Sequence, residues 1–161
     1  MRATLRLVIL LLTAAAASCG GPTVDLSQNL QLVDLTNGWS DVGIVDGQNK
    51  LVPSVSFRVK NNSDRLLPVL QVNVLFRRVN EPEEWGSAFL TVVGSEGLAP
   101  GATSQVLTAK SQQGYKSPEP RADMLKNAYF VDAKAEVFAK YASIQWKKIG
   151  EYPIARQLIA R

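Results

Sequence analysis

The stretch Ser54-Val55-Ser56-Phe57-Arg58-Val59-Lys60, followed by Asn61-Asn62-Ser63-Asp64, decides the fold class of this chain. Val55, Phe57 and Val59 alternate with polar residues, so one face of an extended segment meets a core and the other meets water. The four turn formers then stop the strand. A second run of the same kind occupies Val69–Val79: Leu70, Val72, Val74 and Phe76 point one way, Gln71, Asn73 and Arg77 the other. Upstream, Leu30–Thr36 alternates as a first strand closed by Asn37-Gly38, and Asp46-Gly47-Gln48-Asn49 is a turn cluster. Downstream, strands are expected at Ser87–Val93, Thr103–Lys110, Phe130–Lys140 and Ile144–Lys147, with a last one near Tyr152–Arg156. Between them Gly97-Leu98-Ala99-Pro100-Gly101 is a tight turn, where Pro100 fixes φ and Gly101 can take φ > 0. Only Asp123–Ala128 offers a turn or two of helix, and Gln112–Arg121, with Gly114, Pro118 and Pro120, reads as a long loop. About seven short strands at regular spacing predict an all-β sandwich.

Composition narrows the chemistry. At 46% hydrophobic and 20% charged residues the chain is in the ordinary globular range. The net charge of +4 invites a nucleic-acid reading. Arg2 and Arg6, however, fall in the first 18 residues, which hold no acid. Sixteen basic and fourteen acidic residues remain, a net of +2. Basic residues are scattered, and no stripe able to track a phosphate backbone forms, so nucleic acid is not the expected partner. There is no histidine, and Cys19 is the single cysteine. An ordinary zinc site therefore has no ligands. Imidazole acid–base catalysis is excluded, and so is an intramolecular disulfide. No cofactor is expected, and packing alone must hold the fold.

The start of the chain is built differently. Arg2 and Arg6 precede the apolar run Leu7–Leu12, which gives way to Ala14–Ala17, Ser18 and Cys19. A positive end, a short apolar run and a small-residue cleavage zone make a secretory signal peptide. The run is too short for a span of about 20 residues. Ala16-Ala17-Ser18-Cys19 resembles the lipobox of bacterial lipoproteins, with Ala16 where that family prefers Leu. The resemblance implies cleavage before Cys19, a diacylglycerol on its sulfur and often an acyl chain such as palmitate on its amino group. Gly20 after the cysteine, rather than Asp, implies the outer membrane. The alternative is ordinary signal cleavage at an Ala-x-Ala site, leaving a soluble protein. The expected organisation is thus residues 1–18 as signal peptide, 19–29 as lipidated cysteine and linker, and 30–161 as one domain.

That domain also carries a resemblance. Val55–Ser63, then Val69–Phe76, then Leu98-Ala99-Pro100-Gly101-Ala102-Thr103-Ser104 are similar to bacterial extracytoplasmic immunoglobulin-like domains of the FxLyD type. The shared features are a strand ending in V-x-N-x-S, a hydrophobic strand, a charged hairpin and an L-x-P-G turn, over about half of the mature chain. Arg77-Arg78 stands where the family usually ends its second strand on an aromatic-Asp pair. The resemblance implies an immunoglobulin-like or fibronectin-III-like sandwich.

Candidate sites are few. The hairpin Glu81-Pro82-Glu83-Glu84-Trp85 places its carboxylates side by side, not across a cleft as glycosidase chemistry needs, and reads as a solvated loop. No Ser-x-x-Lys or Gly-x-Ser-x-Gly string occurs, so the chain is not expected to be an enzyme. Trp146 alternates with Ile144 as a core residue, while Trp39 and Trp85 sit at loop edges, there to cap the sandwich or to bind a ligand. In such sandwiches the third, sixth and seventh strands lie side by side. Their inward residues are expected to be Val72, Val74 and Phe76, then Val131, Ala133, Ala135 and Val137, then Ile144 and Trp146. The opposite face would carry Leu75, Arg77, Lys134, Phe138 and Lys147, two large apolar groups among cations. Either this is a docking patch for an acidic protein partner, or Phe138 is covered by the loop Gln112–Arg121 or by the C-terminal tail. The expected function is a non-enzymatic binding or assembly module, anchored by lipid and facing the periplasm. A lipoprotein that binds a peptide, glycan or lipid is the alternative.

Overall fold

The structure is a computed structural model, and it describes residues 23–159. The expected alternation forms strands in it: β1 (Leu30–Val45), β2 (Gln48–Asn61), β3 (Gln71–Arg78), β4 (Gly86–Thr91), β5 (Leu107–Lys110), β6 (Tyr115–Ser117), β7 (Ala133–Lys140) and β8 (Lys147–Pro153). Single-turn helices α1 (Leu26–Asn29) and α2 (Arg121–Met124) complete the elements. One sheet has the order β1-β2-β5 with β6 also on β2, the other β4-β3-β7-β8, and all strand pairings are antiparallel. With β3, β7 and β8 side by side, the chain is an immunoglobulin-like, fibronectin-III-like sandwich. Val55, Phe57 and Val59 of β2, Val72, Val74 and Phe76 of β3, and Ala133, Ala135, Val137 and Ala139 of β7 are all fully buried. Each buried Val or Phe contributes roughly 1.5–3 kcal/mol over exposure, so the core needs no staple.

The first strand does not end at Asn37-Gly38. It runs on to Val45 and turns into β2 through Asp46-Gly47, whose φ angles of 51° and 75° suit a type I′ turn. Gly38 has another task. The C-terminal tail runs beside β1 here: Trp39 N–H donates to Gln157 O (2.8 Å) and Ile159 N–H to Trp39 O (2.9 Å). A Cβ on Gly38 would stand 2.7 Å from Gln157 O. This glycine marks a close backbone approach, which sequence cannot distinguish from a turn.

Other boundaries shift for similar reasons. Gln112–Arg121 is not a free loop, because β6 within it pairs with β2, placing Tyr115 opposite Leu51. The helical turn falls at α2, before the expected Asp123–Ala128. β5 begins at Leu107 and β7 at Ala133, later than expected, while Thr103 makes only an isolated bridge to Lys60. The two short strands expected at Ile144–Lys147 and Tyr152–Arg156 are one strand between them, β8, with a register irregularity opposite Val137/Phe138. The tryptophans trade places: Trp39 is fully buried, whereas Trp146 is 37% exposed.

The Asn-x-Ser that ends β2 is a buried staple. Asn61 donates its amide to Arg65 O (2.7 Å) and Leu98 O (2.9 Å) and accepts from Ser63 N–H (3.0 Å) and Oγ–H (2.7 Å). It ties the β2 end to the Gly97–Gly101 turn, where Gly101 takes φ 73° as expected.

Candidate docking surface

Register decides which predicted residues meet. Leu75 lies opposite Glu136, Arg77 opposite Lys134 and Asn73 opposite Phe138, so Leu75, Arg77, Lys134 and Phe138 share the outer face of the second sheet. Lys147 does not join them. It pairs with Ala139, which is fully buried, and so it belongs to the inward register at the rim, beside Asp25 and Ile144. The extra residue between Lys148 and Gly150 turns Lys148 outward instead, opposite Phe138. Of the expected inward residues, Val131 is 36% exposed, because it precedes the strand.

The cations on this face are already partnered. Glu136 receives Arg77 Nε (3.1 Å), Lys134 Nζ (3.4 Å) and Lys148 Nζ (3.3 Å), and Glu151 receives Lys134 Nζ (3.1 Å) and Lys148 Nζ. Burial pushes the Glu136 pKa up, but hydrogen bonds from Arg77 and Lys148 outweigh it and hold the group below its ordinary value. Hydrogen bonds from Lys148 and Lys134 bring Glu151 down to about 2. Three cations against two carboxylates leave little net charge, so the steering basic rim expected from Arg77 and Lys134 is largely neutralised. Glu136 was legible as a partner, since it alternates with Lys134 along one strand face.

Two exposed aromatics join the face from outside the predicted set. Phe89, 58% exposed on β4, pairs with Asn73, and its ring meets Trp146 edge-on at 6.0 Å. Lys140 Nζ lies 5.1 Å over the Trp146 ring. No alternation signal singles out Phe89, because its outward position depends on pairing with β3. Neither expected cover reaches Phe138: β6 joins β2, the tail runs along β1, and Gln112 stands at the β4 edge. Phe138 is half-buried among its own sheet neighbours.

The sheet edges are partly closed. The tail covers β1 at Trp39, and the Gln112 side chain accepts from Ser87 N–H (3.2 Å) and donates to Ser87 O (2.6 Å), mimicking a neighbouring strand on β4.

At the opposite end of the sandwich, Trp39, Trp85, Tyr115 and Phe130 pack ring to ring at 4.6–6.1 Å. Beside them a cleft of about 210 Å³ is lined by Tyr115, Met124, Tyr129 and Phe130, with Lys116 and Glu119 at its polar side. Burial pushes the Tyr115 phenol up, and its hydroxyl donates to Val131 O (3.2 Å). Among the described residues no cluster of three or more His, Cys, Asp or Glu is placed to hold a metal ion. Nor is any described helix long and apolar enough to cross a membrane.

No known protein family matches the chain, and no curated protein does. Among solved structures it is similar to the X-ray structure of Northeast Structural Genomics Consortium target SoR45. The identity is 11%, over 81% of this chain and 89% of that one, with a TM-score of 0.44.

Proposed function

We propose that this chain is a lipid-anchored, periplasm-facing module of the bacterial cell envelope that docks a protein partner on the outer face of its second sheet and catalyses no reaction. The anchor is the diacylglycerol expected on Cys19, which lies outside the described residues, as does the signal peptide. The observation that carries the docking reading is the open face on which Leu75 and Phe138 stand among the Arg77, Lys134, Glu136 and Glu151 ions. Apolar anchors set among fixed, mutually satisfied charges suit a specific contact, since the partner displaces no orphaned ion. The partial covers on the β1 and β4 edges, the tail at Trp39 and Gln112 at Ser87, favour docking by face over strand addition there. Glu136 and Glu151 do not make a general-acid pair: hydrogen bonds from Arg77, Lys134 and Lys148 hold both below their ordinary values, whereas acid catalysis needs one carboxyl pushed up.

The cleft lined by Tyr115, Met124 and Phe130 favours the second reading, a lipoprotein that binds a small peptide, glycan or lipid. Its volume of about 210 Å³ falls below the roughly 300–1,000 Å³ usual for ligand sites, so this reading takes second place.

Phe138→Glu tests the docking reading, with a photo-crosslinking residue at Leu75 as reporter in intact cells. The expected result is an unchanged melting temperature and loss of the crosslinked species. A stable variant that keeps all its crosslinks overturns the docking face. For the anchor, Cys19→Ser is expected to move the protein from the detergent-extracted membrane fraction to the soluble one, and a wild type that is already soluble refutes it.

A further inference from the structure

The point where the chain enters the fold is ringed by exposed apolar side chains. Val24 N–H donates to Tyr141 Oη (2.8 Å), and Ala142 N–H donates to Pro68 O (3.1 Å), so the first described residues sit against the β7–β8 connection and the segment before β3. Leu66 (51% exposed) and Val69 (39%) lie on that segment, and Phe89 (58%) and Trp146 (37%) stand beside Lys140. Four large apolar groups around one pole are not explained by the core, which is already closed beneath them by Leu67, Leu70 and Leu98. From this pole β1 runs sixteen residues away, about 50 Å, to the Asp46-Gly47 turn.

We infer that this pole rests on the bilayer, with Trp146, Phe89, Leu66 and Val69 in the headgroup–acyl boundary, and that the sandwich stands upright on the membrane with the Leu75 and Arg77 end of its docking face raised from it. The inference rests on the lipid-anchor reading of Cys19. Only Gly20, Gly21 and Pro22 separate Cys19 from Thr23, so the anchor lies within about 14 Å of the fold, whatever path they take. Such a tether keeps one pole at the surface, and that pole carries Leu66, Val69, Phe89 and Trp146. Trp is enriched at the membrane interface for the amphipathic ring that Trp146 offers, and Lys140 can reach the headgroups from over it. Charge is secondary. Lys140 and Lys147 are offset by Asp25, which hydrogen bonds from Ser27 hold ionised, and by Glu96, held by its own and the Gly94 backbone N–H. The contact is therefore expected on neutral and anionic lipid alike.

The test uses the full lipidated chain in vesicles of phosphatidylcholine, and of phosphatidylethanolamine with phosphatidylglycerol, each with part of the lipid brominated in its acyl chains. The emission lost in Trp146→Phe isolates Trp146, and Ile44→Trp, next to the far turn and 71% exposed in the parent, is the control. The protein is expected to float with the vesicles and lose most of its Trp146 emission to brominated lipid, while the tryptophan at 44 keeps its emission. Flotation with Trp146 unquenched overturns the bilayer contact and leaves the anchor standing. Failure to float overturns the anchor reading instead, and this inference with it. Trp146 unquenched on lipid but crosslinked to a protein in cells makes the pole a protein contact, which also overturns the inference.

Discussion

Replacing Asn61 by alanine removes four hydrogen bonds at one fully buried side chain. A hydrogen bond contributes about 1 kcal/mol net, and a buried group left without any partner costs about 1–3 kcal/mol more. The partners differ in what remains to them. Leu98 O still accepts from Leu67 N–H (3.1 Å), and Arg65 O still accepts from Ser63 Oγ (3.2 Å). The Ser63 N–H keeps nothing of this set, so it bears the orphaning penalty. The expected loss is about 3–5 kcal/mol, a large share of the 5–15 kcal/mol typical of a domain. At about 3–5 °C per kcal/mol for this size, the melting temperature should fall by roughly 10–20 °C. Urea unfolding followed by circular dichroism, on a chain beginning at Thr23, measures it; the midpoint should drop with an unchanged m-value. The neighbour is the control. Asn62 is exposed and its amide reaches only Gln31 Oε1 at 3.3 Å, so Asn62→Ala should stay within about 0.5 kcal/mol. Equal effects at the two positions, or a loss below about 1 kcal/mol at Asn61, would refute the staple.

Gly38→Ala should displace the C-terminal tail at a cost of about 1–3 kcal/mol, seen as faster hydrogen exchange at the Trp39 and Ile159 amides; unchanged protection would show the tail is not held there. Glu151 and Glu136 have folded pKa values below the ordinary 4.5, Glu151 at about 2. Their contribution to stability is therefore fully present above pH 4.5 and is lost as the pH falls toward 2. Glu136→Gln with Glu151→Gln should flatten the acid limb of a stability–pH curve in that window, and an unaltered limb would deny the network any role. In the chain beginning at Thr23, Trp146→Phe should remove the largest share of the acrylamide-accessible emission, because Trp39 is fully buried and Trp85 is partly buried against the core; accessible emission that survives in full would place the exposed indole elsewhere.

Much of the candidate site was legible, because alternation is local. Leu75, Arg77, Lys134 and Phe138 each sit in a strand whose inward face is apolar, and a period of two assigns their face without any knowledge of the partner strand. Lys147 shows where that logic stops. β8 begins only at Lys147, so an alternation counted from Ile144 and Trp146 does not carry into it, and the charge that faces outward is Lys148. The ion network and the Phe89–Trp146 contact join residues far apart in the chain, and no local pattern encodes such a meeting.

By itself, then, the amino-acid sequence determined the all-β class, the buried faces of β2, β3 and β7, and the chemistry denied to a chain without histidine and with a single cysteine. These follow from periodicity and composition, which are properties of neighbours along the chain. Only the tertiary structure decided that Asn37-Gly38 lies within a strand, since what keeps β1 extended there is its pairing with β2 on one side and a tail more than a hundred residues away on the other. It likewise decided that Trp39 is core and Trp146 surface, because burial depends on which segment comes to lie over a side chain, and that is settled by long-range packing.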